Sequence, residues 1–279
     1  MSYGKTIEIF LVNGTADSII TAELSNWNGK AIKIPRTEVI SCNREDIKSA
    51  GVYFLFCKED DGDDSVYIGE AENILDRLTQ HIRDFQYEKE KYYWNEAVAF
   101  IGRDLNKALI RYLEHRLVDI ARVSNRYNVL TKNTYKNTVM KESQVASMEE
   151  FISNVRVLLN TLGYKVLETV AVEKEKKEYL YCVGKNGTDA KGYVSSEGFV
   201  VLKDSKISMS VNSKTFEDSG YFKIKEKMIN EKIIVDGRLT KDYLFNSPTA
   251  AADIVLGSYV SGLDYWKTKD GRSLKELEK

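Results

Sequence analysis

Residues 51–81 read GVYFLFCKEDDGDDSVYIGEAENILDRLTQH, and this stretch decides how the first half of the chain is built. Residues 51–57 and 65–69 are rich in aromatic and β-branched side chains, which suit a pleated, half-buried surface. The acidic run Glu59–Asp64, broken by Gly62, lies between them, so the pair reads as a β-hairpin. A helix is expected from Glu72 to Phe85, with Ile74, Leu75, Leu78, Ile82 and Phe85 as its buried stripe. Tyr53 and Tyr67 stand on the two strands, and Gly69 ends the second where another group can approach closely. Asn73, Arg77, His81 and Phe85 follow one i, i+4 line, which places Asn73, Arg77 and His81 on one side of the helix.

Downstream, residues 97–101 (AVAFI) read as a third strand, and Asp104 as the N-cap of a long helix from Leu105 to Val123. On that helix Glu114 shares a face with Ile110, Leu117, Val118 and Ala121. A carboxylate among apolar neighbours needs a partner, because an unpaired buried charge is costly. Arg77, a lysine such as Lys107, or a divalent cation would serve. As to the last, a cation held by one carboxylate, waters and phosphate oxygens is how Mg²⁺ commonly binds. Each of these side chains alone has a plainer explanation: a hairpin tyrosine usually packs across strands, and a helix arginine is usually a surface residue.

Upstream, Ile7, Ile9 and Leu11 alternate as in a strand, Asn13-Gly14 marks a tight turn, and short β stretches surround Ile19-Ile20 and residues 31–34. After the polar stretch 125–143, Ser147-Met148-Glu149-Glu150 fits a capping box opening a helix that ends at Gly163. Residues 178–184 and 192–202 read as strands around Asn186-Gly187, and residues 218–230 as a lysine-rich helix. Ser247-Pro248 starts a helix that Gly257 stops. The fold class is therefore α+β, with a β arm over 1–45, a hairpin-and-helix domain over 46–145, a connecting helix over 146–164 and an α+β module over 165–279.

Of the 279 residues, 43% are hydrophobic and 30% charged, which suits a soluble globular protein. No apolar run reaches the ~20 residues of a membrane span, and the N-terminus lacks a secretory pattern. Cys42, Cys57 and Cys182 are solitary, against a zinc ribbon or disulfide framework. A reducing, cytoplasmic setting is expected, with no membrane partner and no small-molecule cofactor. Net charge is −1, so the chain as a whole is not basic. Residues 101–141 nevertheless gather Arg103, Lys107, Arg111, Arg116, Arg122, Arg126, Lys132, Lys136 and Lys141, a local surface suited to a polyanion. In the C-terminal module Tyr259, Tyr265 and Trp266 suit either base stacking or, more commonly, a buried core.

Gly51-Val52-Tyr53, Val66-Tyr67-Ile68-Gly69, Arg77, His81 and Glu114, in this order, resemble the GIY-YIG nuclease family, and the resemblance covers residues 50–135. It implies a core of a small, mainly antiparallel sheet flanked by helices. It also implies a one-metal site in which Mg²⁺ or Mn²⁺ sits on Glu114 and hydrolyses DNA phosphodiester bonds. Tyr53 would be the general base or proton relay to water. Tyr67 would bind phosphate or water, and Arg77 would clamp phosphate oxygens. His81 would bind phosphate or share a proton. The family's final polar residue follows the glutamate; Asn128 and Asn133 both qualify, and the context Leu130-Thr131-Lys132-Asn133-Thr134 favours Asn133. AELSNWNGKAIKIPR and FNSPTAAADIVLGSYVSGLDYWKTKDGRSL resemble the arms of a bacterial subgroup of that family whose C-terminal module has no settled function. Ser-Pro-x-Ala-Ala patterns in modules attached to restriction and modification enzymes suggest, by analogy alone, DNA defence or repair. A non-catalytic nucleic-acid-binding protein on the same scaffold is the alternative.

Overall fold

The computed structural model describes residues 4–58, 64–134, 139–168, 178–184, 187–210 and 220–279. The chain divides into two compact α+β units, residues 1–169 and 170–279.

The first unit is built on a seven-stranded sheet. Its strands are β1 (Ile7–Leu11), β2 (Ile20–Leu24), β3 (Gly29–Pro35), β4 (Gly51–Lys58), β5 (Asp64–Ala71), β6 (Glu96–Gly102) and β7 (Asn128–Val129). Their spatial order is β1-β2-β3-β6-β4-β5-β7. All pairs are antiparallel except β5–β7. The strands of residues 1–45 thus extend the hairpin's own sheet through β3–β6. Of the acidic tip, residues 59–63 lie outside the described residues, and Asp64 begins β5.

β4 is buried from Gly51 to Cys57 because both of its faces are covered. Strand side chains alternate, so Val52, Phe54 and Phe56 enter one core while Tyr53, Leu55 and Cys57 enter another. The first core is closed by α2 (Lys107–Ser124) and α3 (Glu142–Thr161), the second by α1 (Ile74–Gln86).

Helix starts differ from expectation where polar side chains decide them. Asn73 is the N-cap of α1: it accepts from the Asp76 N–H and donates to Asp76 Oδ2 at 2.7 Å. It is therefore spent on the helix end and does not join the Arg77–His81 side. Asn106, not Asp104, caps α2. α3 begins five residues before Ser147, whose hydroxyl donates back to the Ser143 carbonyl inside the helix.

The second unit has a four-stranded antiparallel sheet and a short hairpin. β8 (Leu180–Val183), β9 (Asp189–Ser195), β10 (Gly198–Val201) and β13 (Tyr243–Phe245) lie in the order β13-β10-β9-β8; β11 (Ile234–Val235) pairs with β12 (Arg238–Leu239). The expected 192–202 strand is two strands, divided at a turn where Gly198 takes φ +141°. α4 (Gly220–Asn230) is followed by α5 (Pro248–Leu256), with Ser247 and Gly257 as its caps. Ala250–Leu256 of α5 are all buried. Trp266 is buried, its ring against Phe199 and its indole N–H donating to the Pro248 carbonyl. It is a core residue; Tyr259 and Tyr265 are exposed.

Candidate active site

The hairpin register sets Gly69 directly opposite Tyr53. A Cβ at Gly69 would lie 2.4 Å from the Tyr53 hydroxyl oxygen and 2.9 Å from the Tyr67 ring. At Gly51 it would lie 2.2 Å from the Phe100 carbonyl oxygen. The two glycines are thus needed for close approach, and the one at 69 lets the Tyr53 ring cross the sheet towards α1.

There Tyr53 Oη lies 2.8 Å from His81 Nε2, and the Arg77 Nε–H donates to the same oxygen at 3.3 Å. Arg77 and His81 are one helical turn apart, so both reach one strand residue. Tyr67 closes the group: its ring centroid is 6.2 Å from that of Tyr53 and 5.2 Å from that of His81. Tyr92 stacks on Tyr67, ring centroids 5.7 Å apart. His81 is 0% exposed, and its Nδ1 lies 2.6 Å from Glu90 Oε1.

The electrostatics follow from burial. Tyr53 is pushed well above the usual tyrosine range by burial and by Tyr67, although Arg77 pulls it down. Tyr67 is raised for the same first reason. Burial opposes the Arg77 charge, but the two tyrosines beside it hold the guanidinium above its ordinary value.

Glu114 is 7% exposed on α2, among Ile110, Leu117, Val118 and Ala121 as its spacing suggests. Of its two protein partners weighed from sequence, Lys107 pairs with Glu70 at 2.9 Å and Arg77 bonds Tyr53. Among the described residues Glu114 makes no hydrogen bond or ion pair. Its carboxyl is raised to about 7 by burial and then by the Glu70 charge, against the pull of Lys107, Arg111 and Arg77. A carboxylate left in this state accommodates a hard cation, which would take up the charge. No group of three His, Cys, Asp or Glu among the described residues forms a cage, so a cation here would depend on water and substrate oxygens.

Asn133 is exposed and forms no hydrogen bond among the described residues. Its position is set by its neighbours. Thr131 Oγ1 accepts from the Ile68 N–H at 2.8 Å and donates to the Ile68 carbonyl at 2.7 Å, continuing the strand edge beyond β7. Thr134 Oγ1 lies 2.9 Å from Nδ1 of His115, the residue after Glu114. Asn128 pairs with Ser65, at the far end of β5 from Gly69.

Sequence reading missed Glu90, Thr131 and Glu70. Glu90 sits in the charged run YEKEKYYW, which has no period to mark one side chain out. The basic stretch 101–141 is largely committed within the unit: Arg116 pairs with Glu149, and Arg122 and Arg126 donate to backbone carbonyls. Lys136 lies outside the described residues. A separate cleft of about 710 Å³, lined by Trp27, Arg103, Gln144 and Phe151 among others, contains none of the clustered side chains.

No helix among the described residues is long and apolar enough to cross a membrane. No curated protein and no solved structure matches the chain. Residues 180–278 match the family model described as a domain of unknown function, DUF4357, a match that lies in the second unit and includes none of the residues clustered around Tyr53.

Proposed function

We propose that the first unit is a Mg²⁺- or Mn²⁺-dependent endonuclease site of the GIY-YIG kind, acting on DNA phosphodiester bonds, with the second unit selecting the substrate. The observation that carries this is the convergence of Tyr53, Tyr67, Arg77 and His81 on one face of the hairpin, with the Arg77 charge among those that act on the Glu114 carboxyl. A buried tyrosine hydroxyl needs a partner, and here two ionisable side chains, Arg77 and His81, share it, a costlier arrangement than one neutral partner would be.

In this reading Arg77 keeps its charge at every physiological pH and offers a planar fork for non-bridging phosphate oxygens. Tyr67 offers its hydroxyl to phosphate or to the attacking water. Tyr53 relays the water's proton, and His81 takes a share of it. Glu114 would hold the cation, which when bound supplies Lewis-acid stabilisation of the leaving oxygen. Asn133 lies between Thr131, which bonds Ile68 beside Tyr67, and Thr134, which contacts His115 beside Glu114, and would contribute a polar contact there. A role in DNA restriction, defence or repair accords with the nuclease reading.

The test pairs a cation titration with cleavage. Tryptophan fluorescence on adding Mg²⁺ should saturate in the wild type and stay flat in Glu114→Ala. Plain and branched DNA duplexes should be cut with Mg²⁺ or Mn²⁺ and left intact with EDTA. Saturable cation binding without cleavage of any DNA would leave a binding protein on this scaffold.

A further inference from the structure

Tyr53, His81 and Glu90 form a line of contacts across a strand, a helix and the loop after it, and the last member has no part in the site described so far. We propose that Glu90 is a positioning residue: its carboxylate fixes the His81 ring as the Nδ1–H tautomer, which aims the Nε2 lone pair at the Tyr53 hydroxyl. This rests on the reading of Tyr53 as proton relay and gives that relay its direction.

A neutral imidazole has one N–H and one lone pair on its two nitrogens, while an ionised carboxylate only accepts. Glu90 Oε1 is 2.6 Å from Nδ1, so Nδ1 carries the hydrogen. Nε2 is then an acceptor, and the Tyr53 O–H at 2.8 Å donates to it. The Arg77 N–H takes a lone pair of the same oxygen. His81 is 0% exposed and the Glu90 side chain 16% exposed, which leaves little room for water to compete. The Glu90 carboxylate also faces the Tyr92 hydroxyl, whose ionisation burial and then the Glu90 charge oppose. A site that required only packing at residue 90 would be cheaper with an apolar side chain, because burying a carboxylate costs stability.

The direction matters because burial makes a free Tyr53 phenolate unfavourable. The relay avoids one. As the water's O–H bond breaks, its proton joins Tyr53 Oη while the proton already there passes to His81 Nε2. The water oxygen uses the freed pair to bond phosphorus, and the P–O bond to the leaving group breaks with its pair on the leaving oxygen, which solvent protonates. His81 is then doubly protonated beside the Glu90 carboxylate, and returns its proton to solvent through Tyr53.

The chain has two histidines, His81 and His115, so ring ¹⁵N–¹H correlation spectra of the full chain, with His115→Gln for assignment, report the tautomer directly. The wild type should show Nδ1–H at His81. Glu90→Ala should lose that single tautomer and about 10²-fold in kcat, with little change in KM for DNA. Glu90→Gln, whose amide oxygen still accepts from Nδ1–H, should restore the tautomer and part of the rate. A wild-type ring protonated on Nε2, or an unchanged tautomer in Glu90→Ala, would overturn the proposal. The ring spectra decide it whether or not DNA is cut, whereas an absence of cleavage by the wild type would count against the nuclease reading alone.

Discussion

The two units bury charge-bearing side chains in different ways. In the second, the Lys225 ammonium donates to the Ser208 carbonyl, and Asp253 Oδ1 accepts from the Val260 N–H at 2.8 Å. Both are side chain-to-backbone bonds, the kind that fixes loop ends. In the first unit Tyr53, His81 and Glu90 bond one another, and Glu114 is buried without a hydrogen bond among the described residues. Backbone partners make a buried charge part of the scaffold. Side chains that satisfy only each other, or nothing, cost stability and persist where chemistry requires them. The comparison supports the first unit as the place for the proposed chemistry, although the family match lies in the second.

The largest expected effects separate the units by activity. Arg77→Ala should lower the cleavage rate by about 10²–10³-fold, the usual consequence of removing one preorganised electrostatic donor. Lys225→Met, in the second unit, should leave the rate on a short unspecific duplex unchanged. Single-turnover cleavage of both variants checks this, and an inactive Lys225→Met would break the comparison.

Next in size is Gly69→Ala. The added methyl would meet the Tyr53 hydroxyl at 2.4 Å, so Tyr53 must leave His81 or the hairpin must shift. A loss of about 1–3 kcal/mol of stability is expected, measured by urea unfolding, together with loss of cleavage.

Smaller effects appear in stability against pH and have opposite signs at Glu114 in the first unit and Lys225 in the second. Folded Glu114 titrates at about 7, above its ordinary 4.5. Between those values the folded chain keeps a proton that the unfolded chain has lost, so its contribution to stability falls as pH rises across the window. Folded Lys225 titrates at about 8, below its ordinary 10.5, because burial opposes its charge. Between those values the unfolded chain binds the extra proton, so its contribution rises with pH. Thermal melts of Glu114→Gln and Lys225→Met without divalent cations should each flatten one slope and leave the other. Mg²⁺ affinity should climb by up to tenfold per pH unit up to about pH 7 and then level off, as the cation stops competing with a proton on Glu114.

What the sequence revealed follows from how each feature is encoded. The hairpin, α1 and the buried face of α2 with Glu114 on it rest on strong periodicity, and the structure has them. α3 was expected to open at Ser147 because its first residues, Glu142–Ser147, are mostly polar and exposed and show no apolar period. The break between β9 and β10 falls at the polar Ser195-Ser196-Glu197-Gly198, a short turn that is easily passed over between the strand-forming Tyr193-Val194 and Phe199–Val201. Asn73 lay on the right helical line, but a short amide at a helix start is claimed by free N–H groups. The Glu90 contact with His81 depends on a loop folding back over α1, which no local pattern encodes.

The most direct test of the central claim is nicking of supercoiled plasmid by the wild type with Mg²⁺, set against EDTA, Glu114→Ala and Tyr53→Phe. The account predicts metal-dependent nicking by the wild type that falls at least about 10²-fold in both variants. Nicking that survives both substitutions, or a wild type inert on plain, branched and modified DNA, would contradict it.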